Sequence, residues 1–288
     1  MERPREYIGQ NFLIMPELPE VQTVVDYIRR DLLEEEITHI EPVWPKVLHN
    51  FDPEDLVQTQ INTRILDVKR RAKFIIIQLQ DHLIAIHLRM TGKLHLLQGN
   101  ELPKHATALI RMKSGKTLVF NDVRKFGRLY LYETMGPIDS CHGPEPLDES
   151  FTSDLFMDLM VSRKRNIKAM LLDQSVLAGL GNIYVDESLW MSGIHPDSIS
   201  SAVPKTRLSK LHKSIRSILS DAISAKGTTI IDFSVNGESG KYSDQLRVFG
   251  KDGKPCLKCG HTIKKMRVAG RGTYICRKCQ LRYIKSRY

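Results

Sequence analysis

A pair of Cys-x2-Cys motifs near the C-terminus constrains the fold more than any other feature of the sequence. Two thiolates three positions apart converge from one tight turn, and a β-hairpin between the motifs would bring both pairs around one tetrahedral Zn²⁺ ion. Because four cysteines fill the coordination sphere, we expect this zinc ion to be structural rather than catalytic. His261 is an alternative ligand, although its position beside Cys259 favours a spectator role. The expected ligands are Cys256, Cys259, Cys276 and Cys279.

The sixteen residues between the two motifs contain no acidic residue. They contain the basic residues Lys264, Lys265, Arg267 and Arg271. A purely basic hairpin tip suits contact with phosphates, and a solvated charged tip is the ordinary alternative. The whole chain has 43 Lys and Arg against 33 Asp and Glu, a formal net charge of +10. This excess favours a polyanionic partner, with nucleic acid first, while a merely basic soluble protein remains the alternative.

A chain of 288 residues is long enough for two ordinary domains, each with its own core. Its 41% hydrophobic and 26% charged residues are typical of soluble globular proteins. The longest apolar runs, such as 74–77 and 83–86, are strand-sized, so no membrane span is expected. Residues 1–14 carry charges of both signs without an apolar core, unlike a secretory signal. We therefore expect a cytoplasmic protein.

Periodicity divides the N-terminal half into a helix followed by strands. From residue 16 onward, Val21, Val24, Ile28 and Leu32 have the spacing of an amphipathic helix. Between residues 61 and 132, short β-rich runs separated by turn signals predict an antiparallel sandwich or barrel, with the helix packed on it. The runs are RILDV, KFIIIQL, HLIAIHL, KLHLL, TALIRM, TLVFND and RLYLY.

The second half is predicted to be helical. Residues 135–150 are rich in proline, glycine and acidic residues and lack a period, which indicates a linker between domains. Helical periodicity then returns, and the candidate helices cover 151–161, 167–173, 183–192 and 206–225. A polar, glycine-rich loop at 236–245 precedes the cysteine-containing region.

Several motifs occur along the chain in one order: MPELPEV, RRAKF, HLRMTG, RKFG, GPEPL, GLGNIYVDE, GIHP and the terminal zinc ribbon. On these motifs the chain, from Met15 to about Gln280, resembles the formamidopyrimidine-DNA glycosylase family. The resemblance implies excision of oxidised purines such as 8-oxoguanine, followed by cleavage of the abasic site. The related endonuclease VIII proteins usually have glycine where Leu18 stands and prefer oxidised pyrimidines, so Leu18 favours the purine branch.

The resemblance also implies the architecture. The fold class is α+β and multidomain, with an N-terminal antiparallel β-sandwich carrying a helix, a C-terminal helical domain of the helix–two-turn–helix type, and a zinc ribbon. We expect residues 1–14 to be an extension outside the mature enzyme. The other expected regions are the catalytic sandwich at 15–134, the linker at 135–150, the helical DNA-binding domain at 151–245 with a lesion-reading lid at 236–245, and the ribbon with a basic tail at 246–288.

The resemblance makes Pro16 the nucleophile, a role that needs a free N-terminus. A terminal proline is a secondary amine with a pKa of roughly 8, so it can attack the sugar C1′ atom and form an iminium ion. An internal proline is a tertiary amide and cannot. We therefore expect translation to begin at Met15, which is then removed. Without the resemblance, Pro16 and Pro19 are more simply residues that begin a helix.

Three further residues are expected to take part in catalysis by resemblance. Glu17 would protonate the sugar ring oxygen or the leaving group, and Glu20 would help to position the site. Lys73 would contact the phosphate beside the lesion and assist proton transfer. Arg271 would hold the flanking phosphate and assist the second elimination. Without the resemblance, Glu17 only compensates a helix dipole and Lys73 is a solvated strand lysine.

Excision requires the damaged nucleotide to leave the duplex, and protein side chains must fill the gap. By resemblance these side chains are Met90, Arg124 and Phe126. Met90 and Phe126 can wedge between bases, while Arg124 can hydrogen-bond the unpaired cytosine. Taken alone, Met90 at a strand end is more simply a core residue.

A second set of residues is expected to hold the DNA backbone. In GLGNIYVDE, Gly179 and Gly181 would let a backbone approach a phosphate. Asn182 would begin a helix whose free N–H groups attract anions, and N-capping by Asn182 is the simpler alternative. The other family-matched DNA contacts are His105, Arg163 and Lys164.

These observations predict a bifunctional DNA glycosylase and abasic-site lyase with one structural zinc ion. We expect it to act as a monomer on damaged double-stranded DNA, in the cytoplasm with the chromosome and without a membrane. An endonuclease VIII-like enzyme for oxidised pyrimidines is the alternative within the class. A non-catalytic zinc-ribbon DNA-binding protein is the alternative if the N-terminus stays extended.

Overall fold

The computed structural model describes residues 15–55, 64–97, 101–228, 234–235 and 238–284. The predicted extension at 1–14 lies outside these residues, as do positions 236–237 of the predicted lid and positions 285–288 of the tail. Among the residues described, no helix combines the length and the apolar character needed to cross a bilayer.

The N-terminal half is a β-sandwich with one helix, as predicted. Helix α1 is Leu18–Leu32, and the strands are β1 Ile37–Glu41, β2 Asp67–Arg71, β3 Phe74–Gln78, β4 Leu83–His87, β5 Gly92–Leu96, β6 Ala106–Met112, β7 Thr117–Asp122 and β8 Arg128–Tyr132. They form two antiparallel four-stranded sheets with the orders β1-β6-β7-β5 and β2-β3-β4-β8. Each of the predicted β-rich runs overlaps one of the strands β2 to β8.

Strand β1 is absent from the prediction because its sequence, ITHIE, has only two apolar residues. Ile37 and Ile40 are buried in the core between the sheets, and the residues around them are polar. The strand lies at the edge of its sheet and pairs with β6 through a register shift between Ile37 and His39. A short edge strand with a bulge gives little periodic signal.

Strands β3 and β4 are continuous apolar runs because both faces of their sheet are covered. Ile75 and Ile77 face the core between the sheets, whereas Ile76 belongs to a second buried cluster on the outer face. The outer cluster includes Ile138 from a short helix, α2, at Gly136–Asp139. The predicted linker therefore contains a helix and packs against the sandwich.

The four predicted helices of the second half are present with small shifts at their ends. They are α3 Ser153–Val161, α4 Ile167–Leu172, α5 Asn182–Ser192 and α6 Lys205–Ser224. Thr152 caps α3 by accepting a hydrogen bond from the Leu155 N–H, and Asn166 caps α4 by accepting one from the Ala169 N–H. Helix α5 ends at Gly193, whose left-handed conformation (φ 76°) suits a helix C-terminus.

The C-terminal region is a hairpin packed on α5. The remaining strands are β9 Ser234–Val235, β10 Glu238–Ser239, β11 Lys264–Val268 and β12 Arg271–Ile275. Ile263 and Tyr274 from the ribbon share a buried cluster with Trp190 of α5. The chain beyond the ribbon, 281–283, pairs through backbone hydrogen bonds with the segment that follows α5, at 193–199. The hairpin is thus fixed to the helical domain on two sides.

Candidate active site

The N-terminal segment lies between the sandwich and the helical domain. Most of α1 packs on the sandwich, but Leu18 in its first turn is buried in the core of the helical domain. The Leu18 N–H donates to the Gly179 carbonyl at 3.0 Å, and a Cβ atom on Gly179 (φ +82°) would lie 2.6 Å from Leu18 Cδ1. The approach of α1 therefore requires glycine at position 179. Pro16, half-buried, sits at this junction.

Glu17, near the N-terminus of the chain, caps helix α5 with its side chain. Its carboxylate accepts hydrogen bonds from the Ile183 N–H at 2.9 Å and the Tyr184 N–H at 3.4 Å. A Cβ atom on Gly181 would lie 2.3 Å from the Glu17 carboxyl carbon, so position 181 requires glycine. The prediction that the first N–H groups of this helix are free to attract phosphate is wrong, because a protein carboxylate accepts from two of them. Asn182 begins the helix as predicted, but Gly181 is the N-cap residue.

Glu17 and Lys73 form a buried pair of titratable groups. Their exposed fractions are 2% and 8%. Burial raises the pKa of Glu17 to about 7, against the opposing positive charge of Lys73. Burial also lowers the pKa of Lys73, against the opposing negative charges of Glu17 and Glu20. A carboxyl group that titrates near neutrality can hold and release a proton at physiological pH, as a general acid must.

Glu20 connects the first turn of α1 with the helical domain. Its carboxylate accepts hydrogen bonds from the Glu17 N–H at 2.9 Å, the Tyr184 hydroxyl at 2.5 Å and the Thr228 N–H at 2.8 Å. Thr228 is the residue at which the chain leaves the helical domain toward the predicted lid. Burial raises the pKa of Glu20 as well. These bonds fix the backbone that carries Pro16 and Glu17.

Arg271 is exposed at the tip of the ribbon hairpin, where it was predicted. Its positive charge contributes to the lowered pKa of Lys73, so the two cations are within electrostatic reach of each other. The Asn182 side-chain amide donates to the Gly272 carbonyl at 3.0 Å. Asn182 therefore contacts the residue next to Arg271, a connection that the sequence did not indicate.

A buried ion pair fastens this hairpin to two helices. The Lys168 ammonium group donates to the Asp186 carboxylate at 2.6 Å and to the Thr273 hydroxyl at 2.8 Å. Asp186 also accepts from the Tyr274 N–H at 2.9 Å. Neither member of the pair was identified from the sequence. The available signal was a lysine and an acidic residue inside the apolar stretches NIKAMLL and NIYVDESLW, since buried charges need partners.

The four predicted zinc ligands lie together, with all Sγ atoms within 4.8 Å of one another. The Sγ–Sγ distance is 3.8 Å between Cys256 and Cys279 and 3.5 Å between Cys259 and Cys276. A tetrahedral ion with Zn–S bonds of about 2.3 Å separates its sulfur ligands by about 3.8 Å, so this donor set fits zinc. His261 is exposed and is not part of the cluster. The prediction of one structural zinc site is confirmed.

Met90, Arg124 and Phe126, which we call the wedge, lie together in two neighbouring loops of the sandwich. Arg124 Nη1 is 3.0 Å from Met90 Sδ, and the Arg124 guanidinium carbon lies 4.6 Å from the centroid of the Phe126 ring. Phe126 is 48% exposed. His105 is next to the same region, since its carbonyl accepts from the N–H of Asp122, the last residue of β7. The three side chains of the wedge are therefore in contact with one another.

Arg163 and Lys164 follow helix α3 in the chain. Both are exposed in the turn between α3 and α4. Arg163 is 4.0 Å from Asp173, which forms a closer ion pair with Arg165 at 2.9 Å. In the part of the chain that the structure describes, no hydrogen bond or ion pair connects Arg163 or Lys164 with the buried pair or the wedge.

Three sequence models of known domain families match the chain. The formamidopyrimidine-DNA glycosylase N-terminal domain matches residues 15–129, the formamidopyrimidine-DNA glycosylase H2TH domain matches residues 142–234, and the zinc finger found in FPG and IleRS matches residues 253–282. Among curated relatives, the formamidopyrimidine-DNA glycosylase of Protochlamydia amoebophila is 41% identical over 275 residues. That of Pelotomaculum thermopropionicum is 38% identical over 274 residues. Each alignment covers 92% of this chain and 99% of the relative.

Solved structures give the same result. A complex between a Lactococcus lactis FPG mutant and Fapy-dG-containing DNA superposes with a TM-score of 0.85 at 36% identity. A complex between Lactococcus lactis Fpg and DNA containing an abasic site superposes with a TM-score of 0.84, also at 36% identity. Both comparisons cover 92% of this chain and 99% of the other chain. The sequence models, the curated relatives and the solved structures agree, and the chain belongs to the formamidopyrimidine-DNA glycosylase family.

Proposed function

We propose that this protein is a DNA glycosylase of base excision repair that removes oxidised purines, namely 8-oxoguanine and formamidopyrimidines, and then cleaves the abasic site. The observation that carries the proposal is the buried Glu17 carboxyl group, adjacent to Pro16 in the chain, with a pKa of about 7 and Lys73 as its charged partner. The Lactococcus lactis structures contain Fapy-dG DNA or abasic-site DNA, which supports damaged DNA as the partner of this chain.

The proposed reaction begins with the amine of Pro16. Its nitrogen forms a bond to C1′, the glycosidic bond breaks, and Glu17 gives a proton to the ring oxygen or the departing base. The Glu17 carboxylate that remains can take up the proton that the amine loses, with the buried Lys73 ammonium group as its counter-charge. The C1′–O4′ bond of the sugar ring then breaks, O4′ leaves as a protonated hydroxyl, and C1′ and the Pro16 nitrogen form an iminium ion. The iminium ion acidifies the C2′ proton, and loss of that proton expels the 3′ phosphate. A second elimination, assisted by Arg271, then expels the 5′ phosphate.

The remaining predicted residues are proposed to hold the DNA. Lys73, Arg271 and Asn182 contact backbone phosphates around the flipped nucleotide, and the wedge occupies the gap in the duplex. The further proposed DNA contacts are His105, Arg163 and Lys164. We also propose that the protein acts as a monomer on the chromosome in the cytoplasm. The proposed division is a catalytic sandwich at 15–134, a connector at 135–150, a DNA-binding helical domain at 151–245 and a ribbon with its tail at 246–288.

The mechanism requires that residues 1–15 be absent from the active enzyme. When residue 15 is attached, the Pro16 nitrogen is a tertiary amide with no basic lone pair, and it cannot form an iminium ion. The match to the family's N-terminal domain begins at Met15, which supports a start at that methionine. We propose that Met15 is the initiator and that its removal exposes Pro16.

Borohydride trapping tests this proposal with two forms of the protein. We expect a chain that begins at Pro16 to become covalently linked to a duplex containing 8-oxoguanine, with the adduct on Pro16 by peptide mass spectrometry. The full 288-residue chain is the matched control and should bind the duplex without cross-linking. Faster trapping on thymine glycol would instead favour the endonuclease VIII-like alternative. An adduct on another side chain, or equal trapping by an intact extended chain, would contradict the mechanism.

A further inference from the structure

Asp122 is a buried carboxylate that none of the roles above uses. It is the last residue of β7, is 1% exposed, and lies beneath the two loops that form the wedge. One loop connects β4 to β5 and carries Met90. The other connects β7 to β8 and carries Arg124 and Phe126.

The Asp122 carboxylate accepts hydrogen bonds from both loops. Oδ1 accepts from the Thr91 hydroxyl and from the Arg124 N–H, the latter at 3.2 Å. Oδ2 accepts from the Gly127 N–H at 2.7 Å. Thr91 directly follows Met90, and Arg124 and Gly127 stand on either side of Phe126 in the chain. One carboxylate therefore bonds to a group at or next to each of the three wedge residues: the Thr91 hydroxyl beside Met90, the Arg124 N–H, and the Gly127 N–H beside Phe126.

The turn that carries Phe126 is packed closely against Phe120 and Asp122. A Cβ atom on Gly127 would lie 2.3 Å from the Phe120 ring and 3.2 Å from Asp122 Oδ2, so the backbone is pressed against the core. The turn also contains Lys125 at a positive φ of 56°. A non-glycine residue in that conformation is kept there by its surroundings, and the bonds to Asp122 on each side of it supply that restraint.

We infer that Asp122 is a positioning residue that fixes the two loops relative to each other, so that the three wedge side chains already lie together when they enter DNA. This inference rests on the proposed function, because it concerns insertion of the wedge into a damaged duplex. A preassembled wedge loses less conformational freedom when it fills the gap. It also keeps Arg124 at a fixed distance from the unpaired base, which makes excision depend on the identity of that base.

Asp122→Asn tests the inference because asparagine has the shape of aspartate but only one acceptor oxygen. It cannot replace both Oδ1, which accepts from Thr91 and Arg124, and Oδ2, which accepts from Gly127. A hydrogen bond to a charged acceptor is strong enough that we expect single-turnover excision of 8-oxoguanine opposite cytosine to slow about 10- to 100-fold. The preference for cytosine over adenine opposite the lesion should shrink as well. Fluorescence of 2-aminopurine placed opposite the lesion should report slower insertion. Asp81→Asn, the same change in the exposed turn at the other end of β4, is the control.

Two measurements separate positioning from general loss of structure. Borohydride trapping on single-stranded abasic DNA needs no wedge, so Asp122→Asn should trap within about threefold of wild type there, whereas a misfolded variant would lose this activity too. In a double-mutant cycle with Phe126→Ala, the two losses in duplex excision should be less than additive. Full additivity, or an unchanged opposite-base preference, would refute the inference. Failure of the unaltered Pro16-start enzyme to trap would instead refute the proposed function.

Discussion

At the scale of single residues, the Glu17 carboxyl group is buried, and burial makes its charged form unfavourable. Burial raises its pKa most strongly, and the negative charge of Glu20 also raises it, whereas the positive charge of Lys73 and the N–H groups of Ile183 and Tyr184 lower it. Burial outweighs the others, and the pKa comes to about 7 instead of 4.5. The folded protein therefore keeps a proton on Glu17 that an unfolded chain would release above about pH 4.3. The proton that we propose Glu17 donates in the reaction is therefore held at the expense of stability.

This balance predicts that Glu17→Gln stabilises the protein while it removes excision. Because the folded pKa is raised, the stabilising contribution of this proton is full below the unfolded pKa and is lost as pH rises through about 7. Glutamine stays neutral, so at pH 8 we expect the variant to be more stable by about 1–3 kcal/mol, and at pH 5 by much less. Urea unfolding at both pH values measures this, with exposed Glu149→Gln as the control. Equal stability differences at pH 5 and pH 8 would contradict it.

The role of Glu17 as a helix cap could not be read from the sequence. Local capping signals are short polar residues directly before a helix, and α5 is preceded by Gly181 instead. The cap comes from a residue 166 positions away. The family resemblance placed Glu17 in the active site, but only the tertiary structure shows that its partners are the N–H groups expected to bind phosphate.

At the scale of elements, the ribbon hairpin depends on two separate attachments. Zinc closes the loops at its base, and the Lys168–Asp186 pair joins its second strand to α4 and α5. The first strand of the hairpin is mostly exposed, since only Val268 of β11 is buried, whereas Thr273, Tyr274 and Ile275 of β12 are buried. A hairpin this small has too little core of its own to fold without its metal.

We therefore predict that loss of zinc releases the hairpin without unfolding the sandwich. Cys276→Ser should lower the zinc content and weaken DNA binding, because the basic residues of the tip lose their position. For every phosphate that the tip no longer neutralises, the log–log slope of the binding constant against salt should become shallower by about 0.9. Titrations at several salt concentrations measure this, and Cys141→Ser, at an exposed cysteine outside the cluster, is the control. An unchanged slope in the zinc-free variant would show that the tip does not bind phosphates.

The elements themselves were largely predictable, and the exceptions have identifiable causes. Strands β2 to β8 and helices α3 to α6 carry either an apolar period or a continuous apolar run, so the sequence located them. Helix α2 was missed because it spans only Gly136–Asp139, in a segment whose proline, glycine and acidic residues are typical of a linker. The apolar residues of that segment pack against the outer face of the sandwich, which is distant in sequence. No local pattern predicts this contact.

At the scale of the whole molecule, the two halves are joined by a buried charge cluster as well as by α1. Glu145, from the segment predicted as a linker, has its carboxylate 2.7 Å from Arg70 Nη1 and 3.0 Å from Arg71 Nη1. It also accepts a hydrogen bond from the Ala72 N–H at 2.6 Å. These three residues directly precede Lys73. The segment 135–150 therefore fixes the backbone that leads to Lys73 and is more than a flexible connection.

Glu145→Gln should loosen this junction, because two largely buried arginines would lose their shared counter-charge. Breaking a buried ion pair from one side leaves an uncompensated charge, so we expect a loss of about 2–4 kcal/mol in unfolding free energy. We also expect slower excision, since Lys73 loses its support, and faster proteolysis within 135–150. Asp139→Asn is the matched control, because Asp139 bonds Arg71 alone from a side chain that is 52% exposed, and exposed pairs contribute about 1 kcal/mol or less. Equal effects of the two substitutions would mean that Glu145 does not couple the domains, and that α1 alone holds Pro16 and Lys73 in one site.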